Sequence, residues 1–277
     1  MRLTLHIGMP RSGGAEIQKY LHAQGSQLNP LKRSEDIATL LLLGRTAASE
    51  AIYRSRFGEP MSDQIEKFKE DVSNCGLDHV VWSNTFLFDI ADEAFVGNLC
   101  VELEDLFDEM RVIVYLQHQT LDFPQLISQR VTAGMVDWDQ IRTVPEQLYN
   151  FERSCKMWDQ DIDLIVRDYN RCETNVVDDF CSILDLPVSD QKDGASYDSD
   201  EGEYDAVALH LMLLINNCAD PKKDGIRRRI ARDLRNMHLS DVEGFVDSDT
   251  LARIERECAS GNAWVAANFL NGVPLKK

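Results

Sequence analysis

The residues whose types and spacing carry the most chemistry stand at the start of the chain, Leu3-Thr-Leu-His-Ile-Gly-Met-Pro-Arg-Ser-Gly-Gly-Ala-Glu-Ile-Gln-Lys-Tyr-Leu21. An apolar run ends at Gly8, and a short loop carries Pro10, Arg11, Ser12, Gly13 and Gly14. Ile17, Tyr20 and Leu21 then follow at helical spacing. The pattern predicts a strand, a tight glycine loop and a helix start. Unpaired N–H groups of a first helical turn, with the positive end of the macrodipole, form a seat for an anion, usually a phosphate. Glycines let the backbone approach such a ligand, and Arg11 adds charge and a bidentate fork. An ordinary strand-to-helix turn with no ligand fits the same spacing. The loop is not a Walker A, because no Gly-Lys-Ser/Thr closes it, nor is it the Rossmann glycine fingerprint.

Such a loop needs a sheet to present it. Runs rich in Val and Ile at 3–8, 79–82, 111–116 and 162–166 alternate with helix-period segments at 15–28, 35–57, 61–74, 92–107, 120–134, 145–159 and 173–184. Continuous apolar strands predict a parallel sheet covered on both faces. The expected fold class is therefore α/β, an open parallel sheet flanked by helices that binds ligands beyond the carboxyl ends of its strands. Residues 189–203 are polar, acidic and glycine-containing, which predicts a mobile surface loop. Segments 204–217, 221–237, 247–259 and 260–270 read as helices. The expected organisation is an α/β core over 1–188, the acidic loop over 189–203, and a helical C-terminal cap over 204–277 packed on the core.

Composition narrows the chemistry. The chain has 277 residues, 44% hydrophobic and 27% charged, as soluble globular proteins have. No apolar run approaches the roughly 20 residues that cross a bilayer, and Met1-Arg2 leads straight into a strand, so a cytoplasmic location without a signal peptide is expected. Cysteines 75, 100, 155, 172, 181, 218 and 258 stand singly, as reduced thiols do, and the six histidines lack metal-ligand spacing. No metal is expected. A net charge of −18 argues against nucleic acid or an anionic membrane as partner. One local exception is Arg227-Arg228-Arg229 with Arg232 and Arg235, either a basic groove or a solvated helix face.

His6-Ile-Gly-Met-Pro-Arg-Ser-Gly13 resembles the 5′-phosphosulfate loop of sulfotransferases that use 3′-phosphoadenosine 5′-phosphosulfate (PAPS). Val112-Ile-Val-Tyr-Leu-Gln-His-Gln119, running into Leu126-Ile-Ser-Gln129, is similar to the family's strand and helix for the 3′-phosphate. Leu164-Ile-Val-Arg-Asp-Tyr-Asn170 with Val177-Asp-Asp-Phe180, and Asn262 to Leu270, resemble later elements of bacterial, carbohydrate-sulfotransferase-like members. The resemblance covers most of the chain. It implies a P-loop-like core, PAPS or its product PAP as cofactor, and transfer of a sulfuryl group to a hydroxyl of a glycan or small molecule.

Carried over residue by residue, Pro10, Arg11, Ser12, Gly13, Gly14 and Ala15 form the 5′ site, with Arg11 as the catalytic cation. Gln117 or His118 aligns with the arginine of the 3′-phosphate site, and Gln125 or Ser128 with its serine. Arg167, at the end of a strand, is the expected second cation, or else the partner of Asp168 or a neighbouring acid. The departures are specific. Gly14 and Ala15 replace two threonines, Thr85 stands where relatives have a glutamate, and Glu16 puts a carboxylate in the first turn. Two like charges about 5 Å apart at an effective dielectric near 20 repel by roughly 3 kcal/mol. Substitute bases are His22, Asp89 and Asp92. His6 reads as a core histidine, and Trp82 and Trp138 either stack on a sugar or pack. The alternative function is a non-catalytic binding or scaffold protein on the same fold, with a protein partner.

Overall fold

The computed structural model describes residues 1–9, 11–23, 66, 69–84, 87–90, 93–132, 149–160, 162–172, 175–186, 209, 211–214, 230 and 245–277. Four strands form one parallel sheet: β1 (Arg2–His6), β2 (His79–Ser83), β3 (Glu109–Leu116) and β4 (Asp163–Asp168), in the order β2-β1-β3-β4. Between them run α1 (Gly14–Ala23), α2 (Leu87–Ile90), α3 (Glu93–Leu103), α4 (Gln119–Thr132) and α5 (Phe151–Trp158). After β4 come a 3-10 turn (Tyr169–Arg171), α6 (Val176–Ile183) and α7 (Ser248–Phe269). This is an α/β fold with an open parallel sheet flanked by helices. The expected helix at 35–57 and the acidic stretch 189–203 lie outside the described residues, as do most of 204–217 and 221–237 and half of 61–74.

Register explains the burial. Leu5 pairs with Trp82 on one side and Val112 on the other, and His6 with Ser83 and Ile113. Alternate residues point to opposite faces. On one face Val81, Ile113 and Tyr115 pack with Ile17, Tyr20 and Leu21 of α1 and Val176, Phe180 and Cys181 of α6. Helices α3 and α5 lie against each other, and the Phe88 ring meets that of Phe151 edge-on at 5.9 Å. Because both faces are covered, β1 and β3 are buried along most of their length, as their apolar sequences require.

The chain leaves β1 for β2 on one side and then crosses to β3 on the other. The direction of winding therefore reverses at β1, and the crevice at such a switch point, beyond the carboxyl ends, is where open α/β sheets bind ligands. The loop after β1 occupies that position.

Contacts divide the chain into two compact units, residues 1–117, 150–190 and 261–276 in one, and 118–149, 191–260 and 277 in the other. Within the first, the C-terminal tail is strapped to the turn after β4. The N–H of Lys276 donates to Asp168 Oδ2 at 2.7 Å, Arg171 Nη2 to the Pro274 carbonyl at 2.9 Å, and Asn170 Nδ2 to the Lys276 carbonyl at 3.2 Å. Leu275 is buried beneath it.

The sequence predicts separate helices at 247–259 and 260–270, but α7 is one helix of 22 residues. Glycine in a helix interior is worse than alanine by roughly 0.8–1.0 kcal/mol, so Ser260-Gly261 looks like a break. Packing overrides it. A Cβ built on Gly261 would lie 3.7 Å from the backbone nitrogen of Glu152, at ordinary contact distance, so α5 runs close beneath the glycine. Gly261→Ala is expected to raise stability by about 0.5–1 kcal/mol in chemical denaturation. A loss of stability would mean that the contact is too tight for a methyl group.

Candidate functional site

The loop after β1 is built from its own backbone. Ile7 extends the pairing with β3, its N–H donating to the Ile113 carbonyl at 3.0 Å, and ties the loop to α2, its carbonyl accepting from Phe88 N–H at 3.2 Å. Met9 is fully buried. The Ser12 N–H donates to the Met9 carbonyl at 3.2 Å, and the Ser12 hydroxyl donates to the same oxygen, closing a tight turn. Gly13 has φ +84°, and its carbonyl accepts from Ile17 N–H at 3.1 Å, so it is the residue that opens α1. The N–H groups of Gly14, Ala15 and Glu16 therefore belong to the first turn and have no acceptor within the helix. Gly14 is buried and Ala15 exposed, so neither position supplies a side-chain hydrogen-bond donor beside these amides.

Two residues in this loop hold left-handed backbone. Gly13 does so without strain. Arg11, at φ +67° and half-buried, does so at a cost of roughly 1–2 kcal/mol. Pro10 lies outside the described residues.

Gly13 has a second reason to be glycine. A Cβ there would sit 2.5 Å from Val176 Cγ1 and 2.7 Å from Cγ2. The first residue of α6 is pressed directly against the loop. Helix α6 is itself tied to the sheet through Asp179, which accepts from Tyr115 Oη at 2.8 Å and from Arg167 Nε at 3.0 Å. A second Arg167 nitrogen, Nη2, completes a two-point ion pair with the same carboxylate. Arg167 is thus paired to a neighbouring acid, while Asp168 pairs with Arg171 at 2.9 Å. Asp179 in turn raises the pKa of Arg167.

Glu16 is half-buried beside the turn after β4. Burial first, and the Glu16 carboxylate second, push the Tyr169 phenol up. Glu16 thus lies within electrostatic range of Tyr169.

At the end of β2, Ser83 Oγ lies 2.8 Å from His6 Nδ1, and its carbonyl accepts from Gln18 Nε2 at 3.3 Å. The buried Asn84 donates its N–H to the His6 carbonyl at 2.8 Å. These three supports, Gln18, Ser83 and Asn84, were not singled out by sequence reasoning. Their signal was a Ser-Asn pair closing an apolar strand. His6 is fully buried, edge-on to Tyr115 at 5.9 Å and Phe180 at 5.7 Å, and burial lowers its pKa to about 3. It is a core residue and does not take up a proton near neutrality. Trp82 is equally a core residue. His22 is exposed at the far end of α1, about 12 Å along the axis from the first turn. Thr85, Asp92, Trp138 and the arginine run at 227–235 lie outside the described residues.

Gln117 follows β3, is 5% exposed, and its Oε1 has no hydrogen-bond partner among the described residues. In the second unit, His118 opens α4. Its carbonyl accepts from the N–H groups of Leu121 and Asp122 at 2.9 and 3.1 Å, and its Nδ1 accepts from Thr120 N–H at 3.3 Å. Gln125 is exposed and Ser128 half-buried, and their i,i+3 spacing puts both on one side of α4. The structure thus brings Arg11 to Ala15 into one loop, and groups Gln125 with Ser128 on one helix. Among the described residues no cluster of three or more His, Cys, Asp or Glu can hold a metal, and no helix is long and apolar enough to cross a membrane.

No protein-family model matches the chain, and no curated protein matches it. Among solved structures it is similar to a sulfotransferase domain from the curacin biosynthetic pathway, at 13% identity and a TM-score of 0.43, over 94% of this chain and 97% of that one. It is also similar to a sulfotransferase domain from the Synechococcus PCC 7002 olefin synthase, at 14% identity and a TM-score of 0.40, over 94% of each chain.

Proposed function

We propose that this chain is a sulfotransferase-like protein whose β1–α1 loop receives the 5′ end of PAPS, for transfer of a sulfuryl group to a hydroxyl of a glycan or small molecule. The observation that carries this reading is the loop itself: first-turn amides at the switch point of the sheet, beside an arginine held in strained left-handed backbone. Strain of this kind persists where the surrounding structure over-determines it, and it clusters at ligand-binding sites.

The residues present suit the 5′ group through backbone. The Gly14, Ala15 and Glu16 amides supply donors, and the absent threonine hydroxyls remove two side-chain contacts. Ser12 gives its proton to Met9 and keeps only acceptor capacity. PAPS, when bound, supplies the activated sulfuryl group. Arg11 neutralises charge that develops on it, which a guanidinium does without proton transfer. Gln117, His118, Gln125 and Ser128 are the residues this reading assigns to the 3′-phosphate.

A second reading, a non-catalytic binding or scaffold protein, is favoured by one specific observation. Ser12 and Gly13 both have internal duties, to Met9 and against Val176, that explain them without any ligand.

Calorimetry with PAP separates the two. The first reading expects micromolar binding that weakens at least about tenfold in Arg11→Ala, the worth of one charged contact. Arg11→Gly is expected to lose the same affinity while folding at least as stably as the parent, because glycine takes φ > 0 freely. No binding by the parent chain at millimolar PAP would leave the scaffold reading.

A further inference from the structure

A separate cavity of about 310 Å³ opens beside the end of β4, within the first unit. It lies at the lower end of ligand-pocket volumes, roughly 300–1,000 Å³. Its walls are of two kinds. Val166, Phe269, Leu270 and Val273 make an apolar side, and the polar side includes Arg167 and Arg171 together with their carboxylate partners Asp179 and Asp168.

The charges are sorted by depth. The carboxylates paired to these arginines lie deeper in the lining, Asp168 at 3% and Asp179 at 13% side-chain exposure. The guanidinium groups are turned outward, at 48% for Arg171 and 45% for Arg167. The pairs sum to zero, but an incoming molecule meets the cations first. In a chain of net charge −18, that arrangement stands out.

Each guanidinium carries five donors. The inward bonds use Nε and Nη2 of both arginines, toward Asp179, Asp168 and the Pro274 carbonyl. Among the described residues the Nη1 donors of both make no hydrogen bond. The tail that follows Val273 is held in place, because Pro274 and Lys276 are bonded to Arg171 and Asp168.

We propose that this cavity binds a small organic anion with an apolar body, a carboxylate of about benzoate size, its charge on Arg167 and Arg171 and its body against Val166, Phe269 and Val273. The site is built from residues other than the β1–α1 loop, so it stands whether or not that loop binds PAP.

The probe is 4-fluorobenzoate, followed by fluorine NMR, with inorganic sulfate as the charge-only competitor. Saturable binding with a dissociation constant of about 1 mM or tighter is expected. It should weaken at least about tenfold in Arg171→Gln, the loss of one charged hydrogen bond. Val273→Glu should weaken it as much by placing a like charge at the mouth. Val273 is 43% exposed, so that variant tests the site even where the arginine change disturbs folding. Arg11→Ala should leave the binding unchanged. The proposal is overturned by the absence of saturation at about 10 mM, by equal binding in Val273→Glu and the parent chain, or by sulfate binding as tightly as fluorobenzoate.

Discussion

Gly13→Ala is expected to remove about 3 kcal/mol of folding stability. Two costs combine. A non-glycine residue at φ +84° pays roughly 1–2 kcal/mol in steric strain. The new Cβ, at 2.5 Å from Val176 Cγ1, adds overpacking of typically 1–3 kcal/mol. The clash is with a β-branched side chain, stiff at χ1, so Val176 cannot swing aside. A double-mutant cycle separates the two contributions. Val176→Ala alone destabilises by loss of buried apolar surface, yet it removes both methyl groups that clash. The Gly13→Ala/Val176→Ala pair is therefore expected to cost at least about 1 kcal/mol less than the sum of the singles, since residues in contact couple. Urea denaturation of the four proteins measures this. Additive effects would show that backbone strain alone accounts for the glycine and that α6 does not brace the loop.

The second large effect is on acid stability, and it comes from His6. Its folded pKa is lowered from 6.5 to about 3 because the ring is buried with no compensating charge. Protonation therefore favours the unfolded chain. The stability that neutral His6 represents is present in full above pH 6.5 and is lost as pH falls toward 3. Each pH unit in that window removes about 1.4 kcal/mol, so the drop between pH 6.5 and 5 is about 2 kcal/mol from this one group. His79 has the same sign, lowered by its partial burial and then by Arg2 and Arg111. Denaturant midpoints measured across this range test the assignment against His6→Asn, whose amide can still reach Ser83. That variant leaves space where the ring was and is less stable overall. Its stability should nonetheless fall less steeply with pH, by one proton's worth of slope. An unchanged slope would move the acid sensitivity to another group.

The β1–α1 loop was legible in sequence because its signal is local. The apolar run ends at Gly8, the glycines follow, and the periodicity changes to helical, all within a few residues. The parallel sheet was legible for a similar reason: strands covered on both faces must be apolar throughout, and four such runs are plainly visible. What the sequence could not show is what each residue of the loop touches. Gly13 looked like a glycine that makes room for a ligand, and the structure shows Val176 filling the space where its Cβ would stand. Ser12 looked like a ligand donor, and its proton goes to Met9. Arg167 and Asp179 are brought together by β4 and α6, and Tyr115 joins them from β3.

By itself, then, the amino-acid sequence determined the class of fold and the position of a glycine loop that leads into the first turn of a helix. Those depend on hydrophobic period and backbone freedom, which are properties of neighbouring residues. Only the tertiary structure decided which glycine is a packing requirement, that α7 runs unbroken through Gly261, that His6 is held neutral, and that two arginines face outward over inward carboxylates. Each of these depends on burial and on partners from distant parts of the chain, where desolvation and steric fit act and local pattern carries no information.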